Sequence, residues 1–239
     1  MAADELGALK GATVVFDLDG TLVDTAPDLV GTLDELLAQQ GLPRLGLEAG
    51  RLLIGGGPRA MVARGFEQAG ASLSGQRLAK LTDRFLARYA ARLVEASRPY
   101  PGAGAALARL KAAGARLAVC TNKPTDLAIG LMRGLGLERL FSAVVGPDAA
   151  PARKPDPRHL LAAIAAAGGD PRRALMVGDS AGDAQAARAA RVPLILVSFG
   201  YADPPAAQLA PDVLVDHFRD LPRACVRLLA ACGGPGAKL

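Results

Sequence analysis

Residues 14–25 read Val14-Val15-Phe16-Asp17-Leu18-Asp19-Gly20-Thr21-Leu22-Val23-Asp24-Thr25, an apolar strand-like run that leads into a glycine turn. Side chains at positions i and i+2 of a strand point to the same side, so we expect Asp17 and Asp19 to share one face where the strand ends. Two carboxylates this close repel each other unless a proton or a cation lies between them. An Asp-Gly turn after a strand is common in proteins, so the meaning of this pair depends on the rest of the chain.

Strand-like and helix-like segments alternate along most of the chain. Apolar runs predict strands at Ala12–Phe16, Arg116–Cys120, Ala143–Val145, Ala174–Val177, Pro193–Val197 and Asp212–Val215. Helical segments lie between them, such as Ala103–Ala113, Thr125–Leu135, Pro157–Ala167 and Ala181–Ala190. Short apolar strands joined by helices indicate a parallel sheet with helices on both faces. We therefore predict an α/β fold with a Rossmann-like parallel-sheet core, in which ligands bind at the carboxyl ends of the strands.

Residues 24–96 interrupt this alternation. They predict consecutive helices with no convincing strand between them, over Pro27–Gln39, roughly Leu47–Ile54, Pro58–Ala69 and Gln76–Ala96. Because the insert comes directly after the first strand, we expect it to cover the site at Asp17. The predicted domains are an α/β core of residues 1–23 and 97–239 and a small helical cap of residues 24–96.

The composition argues against several classes of function. The net charge is +5, but only 4% of the residues are aromatic and none is tryptophan, so we expect no nucleic-acid binding by base stacking. No apolar run approaches the ~20 residues that span a bilayer, and the first residues lack a signal-peptide pattern. We therefore expect a cytoplasmic protein without a membrane partner. The three cysteines and two histidines lack the spacing of a zinc site.

Three further loops bring polar side chains to predicted strand ends. Thr121 and Asn122 follow the second predicted strand, Lys154 comes just before a helix, and Asp179 follows the fourth predicted strand. In a parallel sheet these strand ends meet at one edge. Clustered carboxylates favour Mg²⁺, and a lysine with polar donors can neutralise the charge on a transferring phosphoryl group. The set therefore predicts Mg²⁺-dependent phosphoryl transfer.

Taken together, these motifs resemble those of the haloacid dehalogenase-like hydrolase superfamily. Four motifs match in order and spacing, namely Asp17-Leu18-Asp19-Gly20-Thr21-Leu22, Thr121-Asn122, Lys154-Pro155 and Gly178-Asp179-Ser180-x-x-Asp183. The helical insert resembles the small cap of that superfamily. Within it, the chain is similar to phosphoglycolate phosphatases in the strings Gly20–Pro27, Ile54-Gly55-Gly56-Gly57, Cys120–Pro124 and Ser198–Tyr201.

The resemblance implies a role for each matching core residue. Asp17 is the expected nucleophile, which takes the phosphoryl group as an aspartyl phosphate. Asp19 is the expected acid that protonates the leaving oxygen and the base that then activates water. Thr121 and Asn122 are expected to bind the phosphoryl oxygens, and Lys154 is expected to pair with both Asp17 and the phosphate.

The resemblance also implies a Mg²⁺ site and a group of supporting residues. The expected ligands are the carboxylates of Asp17 and Asp179 and the backbone carbonyl of Asp19. Asp183 is expected to assist, either on the ion itself or through its neighbours. The expected supporting residues are Thr21, Ser180 and Asp183.

The cap glycines Gly55, Gly56 and Gly57 are expected to face the site and to help choose the substrate, together with Arg59 as a binder of a substrate carboxylate. The expected partner is a small phosphomonoester, most simply 2-phosphoglycolate, and the expected state is a monomer or homodimer. Other possibilities stay open: a phosphatase for another sugar or amino-sugar phosphate, a β-phosphoglucomutase-type phosphomutase, or a catalytically silent binding module. A dehalogenase is disfavoured, since that chemistry needs no acid at Asp19.

The segment Gly178-Asp179-Ser180-Ala181-Gly182 also fits the G-x-S-x-G pattern of a hydrolase nucleophile elbow. Asp212 and His217 follow it in the order that a Ser-Asp-His triad would need. The five-residue spacing between them is short for a triad, and this interpretation leaves Asp17 and Asp19 unexplained. We therefore favour the phosphoryl-transfer interpretation.

Overall fold

The computed structural model describes residues 7–201 and 203–232. Its strands are β1 (Thr13–Phe16), β2 (Val23–Asp24), β3 (Arg98–Pro99), β4 (Arg116–Cys120), β5 (Ala143–Val145), β6 (Ala174–Gly178), β7 (Leu194–Val197) and β8 (Val213–Val215). Six of them form one sheet in the order β5-β4-β1-β6-β7-β8, in which every pairing is parallel. The predicted parallel-sheet core is confirmed.

The helices alternate with the core strands and are grouped after β2. They are α1 (Ala26–Ala38), α2 (Leu47–Arg51), α3 (Pro58–Gln68), α4 (Gly75–Ala90), α5 (Ala103–Ala112), α6 (Thr125–Gly134), α7 (Pro157–Ala166), α8 (Ala181–Ala190) and α9 (Leu221–Cys232). Proline stands in the first turn of α1, α3 and α7, where its missing N–H costs no helical hydrogen bond. None of the helices in the described ranges combines the length and hydropathy that a membrane crossing requires.

Successive residues of each core strand pack against opposite layers of helices. Val14 and Phe16 of β1 are buried with residues of α5, α6 and α9. Val15, between them, is buried with residues of α7 and α8. This is the side-chain alternation of a strand that is buried on both faces. The sheet therefore lies between two helical layers, and its ligand-binding edge is at the carboxyl ends of the strands.

Helices α1, α3 and α4 bury their apolar faces mainly against one another. Their shared cluster includes Leu33, Val62, Phe66 and Phe85, all fully buried. The four helices predicted in this segment are present, although the last ends at Ala90 instead of the predicted residue 96. A separate cluster of this kind supports a cap of residues 24–96, and the domain boundaries stay a prediction. The outer ends of the predicted core, residues 1–6 and 233–239, lie outside the described residues.

Strands β2 and β3 form a short antiparallel pair where the chain leaves the core for the helical insert and where it returns. Val23 pairs with Pro99, and Asp24 pairs with Arg98. The expectation that residues 24–96 hold no strand was wrong at its first residue, because β2 ends at Asp24. Each strand of the pair has only two residues, which is too short for a detectable alternation of apolar and polar side chains. The pairing brings the start and the end of the helical insert together.

Candidate active site

The carboxyl ends of β4, β1 and β6 form the floor of a cleft. Asp17 follows β1, which is paired with β4 on one side and with β6 on the other. Thr121 directly follows β4, and Asp179 directly follows β6. Because these three strands are parallel neighbours, the three side chains emerge at one edge of the sheet. Lys154, which comes shortly before α7, reaches the same edge with its side chain.

Asp17 presents one carboxylate oxygen that is free for chemistry. Its Oδ1 atom accepts hydrogen bonds from the Leu18 N–H at 2.7 Å and from Lys154 Nζ at 2.8 Å. No hydrogen bond among the described residues uses Oδ2. Burial raises the pKa of Asp17 to about 7, against the lowering effect of Lys154. The side chain is thus fixed by one oxygen and can react through the other.

Lys154 is a buried cation between two carboxylates. Its Nζ atom lies 2.8 Å from Asp17 Oδ1 and 2.7 Å from Asp183 Oδ1. Burial by itself would lower the pKa of Lys154. The carboxylates of Asp17 and Asp183 raise it by more, so the pKa lies above its ordinary value. The backbone N–H of Lys154 donates to Nδ1 of the buried His159 at 3.1 Å, whose Nε2 lies 3.2 Å from the Val145 carbonyl. Burial lowers the pKa of His159, which favours the neutral ring that this acceptor role needs.

Asp17, Asp179 and Asp183 form a buried acidic cluster. One carboxylate oxygen of each lies within 4.8 Å of the others. Asp179 accepts hydrogen bonds from the Thr21 hydroxyl and from the Tyr201 N–H, both at 2.8 Å. Burial, together with the charges of Asp183 and Asp17, raises the pKa of Asp179 to about 8. Three buried carboxylates beside one lysine leave uncompensated negative charge, which fits an oxygen-ligated divalent cation.

The carboxylate of Asp183 is fully engaged by neighbouring residues of the cluster. Its Oδ2 atom accepts from the N–H groups of Asp179 and Ser180 and from the Ser180 hydroxyl. Its backbone N–H donates back to the Ser180 hydroxyl, which completes a capping box at the start of α8. With Oδ1 bound to Lys154, Asp183 orients its neighbours. Ser180 therefore caps helix α8. The Ser-Asp-His triad of a nucleophile elbow is not assembled, because His217 accepts the N–H of Arg219 and Asp212 accepts the N–H of Leu194.

Asp19 is held by two residues, Lys123 and Thr25, to which the sequence analysis assigned no role. Lys123 Nζ lies 2.8 Å from Asp19 Oδ1 and 3.1 Å from Oδ2, and the Thr25 hydroxyl donates to Oδ1 at 2.7 Å. Lys123 is buried, with its Nζ atom 4.5 Å from the centre of the Tyr89 ring. Burial lowers the pKa of Lys123, but Asp19 and Tyr89 raise it above its ordinary value. The signals in the sequence were the position of Lys123 directly after Thr121-Asn122 and its place in the string Cys120–Pro124, which is similar to phosphoglycolate phosphatases.

The side chains of Thr121 and Asn122 make different hydrogen bonds in the structure. The Thr121 hydroxyl accepts the Lys123 N–H at 3.2 Å, which leaves its own proton for another acceptor. The Asn122 side-chain amide donates to the backbone carbonyls of Gly55 and Lys154, at 3.2 Å and 3.1 Å. Asn122 therefore joins the loop of Gly55 to the loop of Lys154 through the N–H donors of its side chain.

The cap glycines border the site, whereas Arg59 does not. Gly55 and Gly57 line one cavity at Asp17 and Asp19, and Gly55 and Gly56 line a second cavity that Asp17 and Asp19 also border. Gly57 has φ of +85°, and a Cβ there would lie 3.4 Å from the Asn122 carbonyl. Arg59 is exposed and lines neither cavity. Arg64 and Arg153 line the second one.

The comparison with known families agrees with this geometry. The family model described as haloacid dehalogenase-like hydrolase matches residues 12–191. The chain belongs to this family. It is also 51% identical over 231 residues to a phosphoglycolate phosphatase of Caulobacter vibrioides, a match that covers 97% of this chain and 98% of that protein.

A second curated relative carries a different substrate in its name. An N-acetylmuramic acid 6-phosphate phosphatase of Pseudomonas aeruginosa is 39% identical over 221 residues, which cover 92% of this chain and 96% of that protein. Among solved structures, a crystal structure described as a predicted phosphoglycolate phosphatase from Haemophilus somnus 129PT is 32% identical. It superposes with a TM-score of 0.82 and covers 90% of this chain and 98% of that one.

Proposed function

We propose that this chain is a Mg²⁺-dependent phosphatase of small phosphomonoesters, with 2-phosphoglycolate as its main substrate. The observation that carries the proposal is the unbonded Oδ2 atom of Asp17, held at the sheet edge beside Lys154 and the acidic cluster. The relatives named phosphoglycolate phosphatase support the choice of substrate. The cytoplasmic location and the choice between monomer and homodimer stay predictions.

The proposed reaction has two steps. In the first, Asp17 Oδ2 attacks the phosphorus atom and the bond from phosphorus to the leaving oxygen breaks, while Asp19 gives a proton to that oxygen. The product on the protein is an aspartyl phosphate at Asp17. In the second, Asp19 takes a proton from a water molecule, which attacks the phosphorus and releases inorganic phosphate and the free Asp17 carboxylate.

Polar groups around Asp17 stabilise the charge on the phosphoryl oxygens. Lys154 is already within 2.8 Å of Asp17, so its ammonium group can contact a phosphoryl oxygen carried by that side chain. The Thr121 hydroxyl has a proton to donate to a second oxygen. Asn122 is expected to contribute through its backbone N–H, because its side-chain donors are engaged by Gly55 and Lys154. Such preorganised donors act where charge develops in the transition state.

The residues present fit a Mg²⁺ ion. We propose Asp17 and Asp179 as its side-chain ligands, with the Asp19 backbone carbonyl as a third, and Asp183 as the residue that orients them. A bound Mg²⁺ would neutralise charge on the phosphoryl oxygens. The Thr21 hydroxyl donates to Oδ1 of Asp179 and the Tyr201 N–H donates to Oδ2, so both oxygens are held beside the cluster.

A phosphate-release assay over a panel of small phosphomonoesters with Mg²⁺ tests the function, and Asp17→Asn tests the mechanism. The variant should retain its fold, by circular dichroism, and lose at least about 10³-fold in kcat, because an amide cannot form the aspartyl phosphate. A variant that kept more than a tenth of the rate would contradict the role of Asp17. Full activity in excess chelator would contradict the proposed dependence on Mg²⁺.

A second candidate function is the hydrolysis of an amino-sugar phosphate. The relative of Pseudomonas aeruginosa named for N-acetylmuramic acid 6-phosphate supports it. The same panel decides between them, since 2-phosphoglycolate hydrolysed a hundredfold less efficiently than that ester would exchange the two assignments. Turnover that required a sugar bisphosphate activator would instead indicate a phosphomutase.

A further inference from the structure

Lys123 is a buried cation on the leaving-group side of the site. It lines the cavity that runs from Asp17 and Asp19 into the helical insert, and it is the one lysine or arginine among the described residues lining that cavity. Its ammonium group has three N–H donors. Both of its hydrogen bonds go to the single carboxylate of Asp19, so a donor is left for another acceptor in the cavity.

Tyr89 supplies a second polar group that has no partner. It lies on α4 in the wall of the same cavity, its side chain is 1% exposed, and its hydroxyl has no hydrogen-bond partner among the described residues. An unsatisfied buried hydroxyl destabilises a folded protein. The other cap side chains in the wall are apolar, among them Leu29, Met61 and Phe85. Besides the catalytic-edge residues Asp17, Asp19, Thr121 and Asn122, the cavity thus offers one cation and one hydroxyl, surrounded by apolar side chains of the helical insert.

We propose that Lys123 and Tyr89 bind a carboxylate of the leaving group, so that the site selects phosphomonoesters with a carboxylate one carbon away from the ester oxygen. The proposal rests on the proposed function and assigns its substrate selectivity to these two residues. When Asp19 holds the proton that it gives to the leaving oxygen, the ammonium of Lys123 matches the single charge of a carboxylate, whereas a second phosphoryl group would bring about twice that charge into the cavity. Arg59, which lines neither cavity, has no part in it.

The distances suit such an ester. Asp19 must lie within hydrogen-bond distance of the leaving oxygen, and Lys123 Nζ lies 2.8 Å from Asp19 Oδ1. A carboxylate one carbon from the leaving oxygen has its own oxygen atoms about 3 Å from it. The ester carboxylate and the Asp19 carboxyl group can therefore meet the same ammonium group from two sides. A neutral substituent such as a hydroxymethyl group can accept a hydrogen bond but brings no negative charge to pair with the ammonium group of Lys123.

The experiment compares two esters with the same two-carbon skeleton in the Mg²⁺-loaded protein, 2-phosphoglycolate and 2-hydroxyethyl phosphate, in which a neutral hydroxymethyl group replaces the carboxylate. The ratio of their kcat/KM values is measured for the unmodified chain, Lys123→Met and Tyr89→Phe. We expect the unmodified chain to prefer the carboxylate ester, and the ratio to fall about 10- to 100-fold in Lys123→Met and about 3- to 10-fold in Tyr89→Phe. Tyr89→Phe should also unfold at the same or a higher temperature, since it removes an unsatisfied hydroxyl.

Lys80→Met is the matched control, because Lys80 is exposed on the same helix as Tyr89 and its loss changes the net charge equally. Its ratio should equal that of the unmodified chain. If Lys123 only positioned Asp19, Lys123→Met would slow both esters alike and keep the ratio, which would overturn the proposal. If Lys123→Met does not fold, an unchanged ratio in Tyr89→Phe overturns it instead. Phosphate release from neither ester by the unmodified chain would instead contradict 2-phosphoglycolate as the substrate, which is the part of the proposed function on which this inference rests.

Discussion

Removing the hydroxyl group of Tyr201 should weaken the junction between helix α1 and the edge of the sheet. This hydroxyl accepts the N–H groups of Thr25 at 2.8 Å and Ala26 at 3.0 Å, where α1 begins. It also donates to Asp24 Oδ1 at 2.6 Å. The first N–H groups of a helix have no partner within the helix, so Tyr201 does here what a capping side chain does elsewhere.

The magnitude of the effect in Tyr201→Phe follows from what each partner loses. Thr25 is fully buried, and its N–H would be left without an acceptor, which costs about 1–3 kcal/mol. Ala26 keeps a weaker bond to Asp24 at 3.3 Å, and Asp24 keeps Arg51 at 2.9 Å, so their losses are smaller, about 1 kcal/mol together. The free energy of unfolding should therefore fall by about 2–4 kcal/mol.

Urea unfolding followed by circular dichroism measures this change. Tyr100→Phe is the matched control, because the buried Tyr100 hydroxyl has no hydrogen-bond partner among the described residues; its free energy of unfolding should not fall. A fall of less than about 1 kcal/mol in Tyr201→Phe, where a buried N–H is orphaned, would refute the reasoning. The acidic cluster should persist in the variant, since Asp179 binds the backbone N–H of Tyr201 and not its hydroxyl.

Two further predictions concern the acidic cluster. Burial raises the pKa values of Asp17 and Asp179 to about 7 and about 8 in the metal-free protein, far above their unfolded value of about 4. In the metal-free protein, the contribution of these two groups to the free energy of unfolding should therefore be largest at and below pH 4. It should be lost as the pH rises through 7 and 8. The shift in melting temperature on adding Mg²⁺ should be larger at pH 8.5 than at pH 6, and equal shifts would contradict the pKa values. Gly20→Ala should lower the free energy of unfolding by about 2–4 kcal/mol and weaken Mg²⁺ binding by calorimetry, because a Cβ at this φ of +84° would lie 2.5 Å from Asp179 Oδ2. Gly41→Ala, at φ of +73° with nothing within 4 Å, isolates the backbone strain, and an equal loss in both variants would contradict the clash.

Most of the core could be predicted from the sequence, because its signals are local. Each core strand is a short apolar run, and the predicted and observed bounds agree within one residue, as at Arg116–Cys120 and Leu194–Val197. The polar motifs follow those runs directly, so a parallel sheet was enough to bring Asp17, Thr121 and Asp179 to one edge. Strand period and strand-end position depend only on neighbours in the chain.

Contacts that close over long sequence separations were decided by the tertiary structure. The helix predicted to reach residue 96 ends at Ala90, and the N–H groups of Ala96 and Ser97 donate to the buried Asp28. The two-residue strands β2 and β3 pair across the whole helical insert. Neither could be predicted, because the partner that stabilises each backbone segment lies about 70 residues away and is not visible in a local pattern.

The sequence by itself determined the residue types at the sheet edge and their order, since apolar periodicity and strand ends are properties of adjacent residues. Only the tertiary structure decided which of those groups are free to react. Asn122 is used to join two loops, Asp183 to orient Lys154, and Lys123 to hold Asp19. A lysine in a loop is ordinarily solvated; Lys123 is buried because the helical insert packs over it, and that packing is specified by no single stretch of the chain.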